Sequence, residues 1–344
     1  MSLIIRDKSP KNALMKIGLD KDIAATLVAD LVRCGIKIEK GAQVKRYEVS
    51  QQPKQLTPVK LFLEATGGGS RPTGSTKEII CDTYLAAVGR KPNTNSLNFA
   101  SVGIEVDAYG SLIVDSNLAT TDPKKNVYAA GDVLGRPFLA STGVAQGVAA
   151  IQNMFREDLP PTTTNNISYP QNNNNDDECD SDEDSMEEGK NNCDPLSLSK
   201  NPFAFPTAIW STPEAAYYGL TIEQAKNAGY EDSGEAVALY VECLRGLVFS
   251  PNGLLKLVYV KPAGKILGVH ICGDDACELI HYGMELVKAE RTIDDVVNNL
   301  FSAVTYHEMY RIAALAAIDG PGARKRRAAA GAALARRNRI LKQK

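Results

Sequence analysis

Asn126-Val-Tyr-Ala-Ala-Gly-Asp132 decides how this chain is read. Val127 to Ala130 are apolar and β-competent, and the run ends abruptly at Gly131-Asp132. It predicts a buried strand whose C-terminal end delivers the Asp132 carboxylate to a crevice, where ligands bind in open α/β sheets. A carboxylate there accepts hydrogen bonds from the hydroxyls of a sugar or ribityl chain. Next, Leu139-Ala-Ser-Thr-Gly-Val-Ala-Gln-Gly-Val-Ala-Ala150 opens a small-residue helix. Its N-terminus offers free N–H groups and a positive dipole end, and its small side chains admit something flat. Taken alone, Gly131-Asp132 also fits a plain turn after a core strand.

Upstream lies Thr83-Tyr-Leu-Ala-Ala-Val-Gly-Arg-Lys-Pro-Asn-Thr94. Together the two segments resemble the pyridine nucleotide–disulfide oxidoreductase family, from about residue 3 to residue 319 with one insertion excluded. Within it, the run from Asp132 to Ser141 is most similar to soluble pyridine nucleotide transhydrogenases. The resemblance implies an FAD- and NAD(P)-dependent enzyme that works as a homodimer. It implies that Gly131 and Asp132 hold the flavin's ribityl and diphosphate region. Backbone N–H groups of Leu139, Ala140 and Ser141 would face the pyrimidine edge, and Arg90 would belong to the motif at the domain junction.

The family's two Gly-x-Gly-x-x-Gly turns and its redox Cys-x4-Cys pair do not occur in their expected context. Cys272 and Cys277 have the spacing but sit near the other end of the chain. Gly67-Gly68-Gly69 reads as a hairpin loop rather than a phosphate-binding turn. The expectation is therefore the C-terminal part of a flavoenzyme, beginning midway through its NAD(P) domain. The expected fold class is α/β and α+β: partial Rossmann-like NAD(P) and FAD domains followed by an α+β dimerisation domain.

Five segments are expected. Residues 1–88 form the C-terminal part of the NAD(P) domain. Leu3-Ile-Ile5 is a strand whose end, Arg6-Asp-Lys-Ser-Pro-Lys11, contains both an acid for a ribose 2′-hydroxyl and cations for a 2′-phosphate. Arg6 is the candidate for the phosphate, and a solvated loop is the alternative. Helical spacing of Ile23, Ala24, Leu27, Val28 and Leu31 predicts a helix over 20–33, and strands follow at 44–49 and 59–65. Glu78-Ile-Ile-Cys81 leads into a strand returning to the FAD domain. Residues 89–156 are the FAD segment. Residues 157–200 carry nine acids between Asp176 and Glu188 and predict a disordered insertion, either inert or attractive to a basic partner. Residues 201–319 resemble the dimerisation domain, with a strand at 205–210, a hairpin across Pro262-Ala-Gly264, and helices at about 276–289 and 305–318. Residues 320–344 hold nine Lys or Arg and no acid after Pro321. They read as a disordered basic tail or a localisation or nucleic-acid patch, and nucleic acid is not the expected partner.

At 344 residues and 44% hydrophobic, the chain has enough apolar material for ordinary cores. No run approaches 18 apolar residues, so no membrane span is expected. Seven scattered cysteines suggest reduced thiols and an intracellular setting, cytoplasmic or organellar. No metal site is expected.

In the disulfide reductases of the family, a His-Pro-Thr-x-x-Glu motif carries the proton-shuttling histidine and its orienting glutamate. The matching run is Ala303-Val-Thr-Tyr-His-Glu308, with Ala303 at the histidine position. Glu308 keeps its register as a catalytic candidate. His307 is a weaker one, able to substitute only if a helix reaches back to 303 and puts both on one face; otherwise it is a surface or interface histidine. His270 and His281 read as structural. The implied chemistry is hydride transfer between nicotinamide nucleotides through flavin. The rivals are a non-enzymatic dimerisation fragment, and a dihydrolipoamide dehydrogenase-like reductase should a redox cysteine pair lie upstream.

Overall fold

The computed structural model describes residues 1–49, 58–66, 74–135, 138–155 and 205–320. The acidic segment 157–200, the Gly67–Gly69 loop and the basic tail beyond Gly320 lie outside the described residues. The fold is mixed α/β and forms two compact units, 1–86 with 206–320 and 87–155.

In the first unit, β1 (Ser2–Ile5) pairs in parallel with β2 (Lys37–Lys40). Between them run α1 (Pro10–Met15) and α2 (Lys21–Arg33). Ser9 caps α1 and Pro10 opens it, an arrangement that suits a helix start. The Asp20 side chain accepts from the Asp22 N–H to cap α2. The strands β3 (Ala42–Val49), β4 (Val59–Ala65) and β5 (Thr76–Cys81) form an antiparallel sheet.

The rest of this unit is a five-stranded antiparallel sheet in the order β6-β7-β10-β9-β8. Its strands are β6 (Thr207–Ile209), β7 (Ala215–Gly219), β8 (Ser233–Leu239), β9 (Leu254–Val260) and β10 (Ile266–Cys272). Its helices are α4 (Ile222–Asn227), α5 (Leu244–Phe249), α6 (Ala276–Lys288), α7 (Ile293–Asn298) and α8 (Glu308–Asp319). β10 is buried along its whole length, which requires cover on both faces. On one face Gly283 of α6 packs against Val269, so closely that a Cβ would lie 2.8 Å from that side chain. On the other face Leu19, Ile23, Ala24 and Leu27 share a core with Ala215, Val237, Leu254 and Cys272. Each such large aliphatic side chain contributes roughly 1.5–3 kcal/mol on burial, so α2 is part of this core.

In the second unit, η turns at 99–102 and 131–134 and α3 (Ala140–Met154) surround small cores. Leu118, Ala149 and Ala150 form one, and Ile104, Leu112 and Ala129 form another. Two expected strands do not form here. Along Val127–Ala130 the only ladder is one isolated bridge, Ala119 to Tyr128, because among the described residues the 118–120 segment alone lies beside it. Residues 83–89 are irregular, with Leu85 84% and Val88 88% exposed. An apolar run becomes a strand only where a neighbour supplies its hydrogen bonds. No helix among the described residues is long and apolar enough to cross a membrane.

Candidate functional site

The second unit brings Gly131, Asp132, Leu139, Ala140, Ser141 and Arg90 into one neighbourhood. Gly131 has φ +80°, the left-handed region that glycine tolerates. Its N–H donates to Gln146 Oε1 at 2.8 Å. A Cβ on Gly143 would lie 3.2 Å from the Gly131 Cα, so α3 and the 131–134 turn meet backbone to backbone. Leu139 is the N-cap of α3 and supplies no side-chain cap, which leaves the first-turn N–H groups open. Thr142 is buried, and its Oγ1 has no partner among the described residues. Asp132 is half exposed and faces Arg90, whose Nη1 is 3.2 Å from Asp132 Oδ2. At that exposure the pair adds little stability. A carboxylate and a guanidinium thus pair at the turn, and an uncapped helix N-terminus belongs to the helix packed on it.

Gln146 and Thr142 were not singled out from the sequence. The available signal was a large amide set in a helix of Ala, Gly, Ser, Thr and Val.

In the first unit, Arg6 directly follows β1 and is exposed, while its carbonyl accepts from Thr66 Oγ1 at 2.8 Å. The neighbouring acid is engaged: Asp7 accepts from the Ser9 N–H and pairs with Lys16 at 2.9 Å. Burial raises the Asp7 carboxyl, and these partners bring it below its ordinary range.

The 303–308 turn precedes α8. The Thr305 N–H donates to Glu308 Oε2 at 3.2 Å, and Thr305 Oγ1 donates to the Ser302 carbonyl at 2.8 Å. Glu308 therefore bonds back across the turn, while the N-cap of α8 has no side-chain bond. Since α8 starts at Glu308 with His307 as its N-cap, Ala303 and His307 do not share a helical face. His307 is exposed, edge-on to Tyr282 at 6.1 Å. Its role as a stand-in for the shuttle loses the helical premise on which it depended.

Cys272 and Cys277 are free and buried. Burial pushes each thiol up to about 12, so neither carries the lowered pKa of a redox nucleophile. Cys34, Cys81 and Cys243 are also free. No group of His, Cys, Asp or Glu among the described residues is arranged to hold a metal.

Comparison with known proteins agrees with this layout. A family model described as pyridine nucleotide-disulphide oxidoreductase matches residues 10–147, and the same family's dimerisation domain matches 205–314. A soluble pyridine nucleotide transhydrogenase of Erwinia tasmaniensis is 32% identical over 247 residues, 70% of this chain and 44% of that protein. One from Mycobacterium bovis is 30% identical over 243 residues, 70% of this chain and 43% of that protein. The chain thus spans less than half the length of these relatives. Among solved structures, the HOCl-induced flavoprotein disulfide reductase RclA from Escherichia coli has the same fold. Its copper(II) complex gives a TM-score of 0.64 at 19% identity, covering 91% of this chain and 58% of that one. With both of its domain models present in order, the chain belongs to the pyridine nucleotide-disulphide oxidoreductase family.

Proposed function

We propose that this chain is the C-terminal portion of an FAD-dependent oxidoreductase that passes hydride between nicotinamide nucleotides. The observation that carries the reading is the junction of the 131–134 turn with α3. The residues fit a flavin. Gly131 and Gly143 leave no side chain between turn and helix, α3 begins uncapped, and Thr142 Oγ1 is a buried hydroxyl in want of a partner.

Asp132 accepts hydrogen bonds from ribityl hydroxyls, and Arg90 holds the carboxylate and offers charge to the diphosphate. Leu139, Ala140 and Ser141 turn backbone N–H groups toward the pyrimidine edge. FAD supplies reversible hydride acceptance. Arg6, exposed beside an Asp7 already occupied by Lys16 and Ser9, favours a 2′-phosphate and hence NADP as one nucleotide. Ala303 moves no proton, and Glu308 shapes the turn through Thr305. That arrangement favours nucleotide-to-nucleotide transfer over disulfide reduction.

The working unit is a homodimer through residues 205–314. Trp210, Phe249 and Leu300 are exposed apolar side chains of that domain and are suited to the contact. A second reading, pairing without turnover, is favoured by the exposed row Val144, Val148 and Ile151 along α3, with Phe155 at its C-cap. This row asks for cover that the described residues do not provide.

The test is to isolate the native protein with an antibody against residues 205–314 and to assay it for flavin absorbance, NADPH-to-thio-NAD transfer and lipoamide reduction. Flavin with transfer and without lipoamide reduction is the expected result. Lipoamide reduction would return the disulfide-reductase reading, and a flavin-free dimer would leave only the pairing reading.

A further inference from the structure

Lys256 is fully buried in the middle of β9 between Leu255 and Leu257. Its Nζ lies 2.8 Å from Asp20 Oδ1 and 3.2 Å from Glu235 Oε2, and it also bonds Asp22. Asp20 and Asp22 belong to the start of α2, so this cation ties a segment from the front of the chain to the five-stranded sheet. His270 of β10 stands opposite Lys256 in the antiparallel register and is also fully buried. Directly opposite side chains of such a pair share one face, so the ring lies beside the Lys256 stem on the face that α2 covers. Asp20 and His270 are close enough for their charges to act on one another.

His270 Nδ1 and Asp20 Oδ2 are both buried without a hydrogen-bond partner among the described residues, so they do not bond each other. The donors around them are committed. Lys256 Nζ serves three carboxylates, and the Asp22 N–H donates to Asp20 Oδ1 at 2.8 Å. Lys21 pairs with Glu223 at 3.0 Å. Tyr217, stacked on the ring at 6.2 Å, donates its hydroxyl to the Ile17 carbonyl at 2.6 Å. His270 Nε2 lies 3.0 Å from the Leu220 carbonyl, which only accepts, so Nε2 carries its proton there. No side chain is left to satisfy the two atoms, and leaving both bare is costly.

We propose that one buried water molecule bridges His270 Nδ1 and Asp20 Oδ2 and forms part of the joint between α2 and the sheet. Water fits the demand in either state of the ring. Beside a neutral imidazole it donates to both atoms. Beside a charged one it accepts from the Nδ1 proton and donates to Oδ2. A metal cation is opposed by Lys256, and an apolar guest would leave both atoms unpaired. Buried waters make about two to four such bonds, and polar groups too far apart to bond directly are joined in this way. Both oxygens of Asp20 then hold the joint: Oδ1 through Lys256 to β9, and Oδ2 through water to β10.

The test is a pair of crystal structures of the whole chain, unaltered and His270→Gln, each fine enough to show ordered solvent. The glutamine amide still donates to Leu220 but puts no atom in the place of Nδ1. A solvent peak within hydrogen-bond distance of both Nδ1 and Oδ2 is expected in the unaltered chain, and its loss in the variant. Direct contact between the two side chains, an empty gap, or a peak unchanged in His270→Gln overturns the bridge. Should the variant not fold, NMR of the unaltered chain labelled at its three histidines decides. The His270 Hε1 is expected to show a cross-peak to a long-lived water, while exposed His281 and His307 show none. A His270 ring without that cross-peak ends the proposal.

Discussion

The Gly131 N–H donates to Gln146 Oε1, and this bond joins the 131–134 turn to the buried side of α3. Gln146→Leu leaves the amide unpaired in a part-buried setting, and the loss is about 1–3 kcal/mol. Urea unfolding checks the size, and flavin affinity in the complete protein checks the consequence. Retained stability would mean that the turn is positioned by other contacts.

Gly143→Ala is expected to damage the same junction by steric means. The new Cβ would sit 3.2 Å from the Gly131 Cα, and backbone on both sides leaves little room to yield. A cost of about 1–3 kcal/mol is expected. Gly147→Ala, one turn on and with nothing within 4 Å, is the control and stabilises or leaves α3 unchanged. Thermal unfolding of the two variants side by side separates steric damage from a general effect of substitution.

Cys272 and Cys277 are expected to stay silent toward alkylating reagents in the folded protein. With thiols pushed up to about 12, only about one part in ten thousand is thiolate at pH 8. Exposed Cys34 reacts first. Mass mapping after iodoacetamide gives the order, and fast labelling of Cys277 would reopen its candidacy for redox chemistry.

The longer elements were legible because their signals are local. The periodicity of Ile23, Ala24 and Leu27 marks α2, and Pro262-Ala-Gly264 marks the β9–β10 hairpin. The short helices α4, α5 and α7 escaped notice, each six residues long and too brief for a period to declare itself. β8 reads Ser-Gly-Glu-Ala-Val-Ala-Leu, a poor strand by propensity that is held by its pairing with β9. Val127–Ala130 errs the other way, with good strand residues and few neighbours. Of the site, Asp132 and the α3 start were readable as motif, whereas Gln146 was invisible until its partner was known. Lys256 looks like the polar position of a strand, because its carboxylates at 20 and 22 lie more than 230 residues away.

Stability is expected to have both an acid and an alkaline limb from the Asp20–Lys256 pair. Burial raises the Asp20 carboxyl, and the charge of His270, then Lys256 and the Asp22 N–H, bring it below its ordinary range. Its contribution is present above about pH 3.9 and lost as pH falls through the folded value. Lys256 is raised, since Asp20, Asp22 and Glu235 outweigh burial. That contribution is complete below about pH 10.4 and lost as pH climbs through the folded value. Lys256→Met removes the alkaline limb and strands Asp20, costing about 3–5 kcal/mol. Adding Asp20→Asn should recover much of that loss. Urea midpoints across pH check the limbs, and an unchanged alkaline limb in Lys256→Met would assign it elsewhere.

Glu308 separates the hydride reading from the disulfide reading. It accepts from the Thr305 N–H across the 303–308 turn and has no histidine at 303 to orient. Glu308→Ala is therefore expected to cost about 1 kcal/mol of stability, the worth of one hydrogen bond, and to leave the rate of NADPH-to-thio-NAD transfer within about threefold. His307→Gln, at an exposed position, should change that rate still less. A loss of about a hundredfold or more in either variant, with the fold intact by circular dichroism, is the size expected of a lost general acid or base. Such a result would put proton transfer back into this turn despite Ala303.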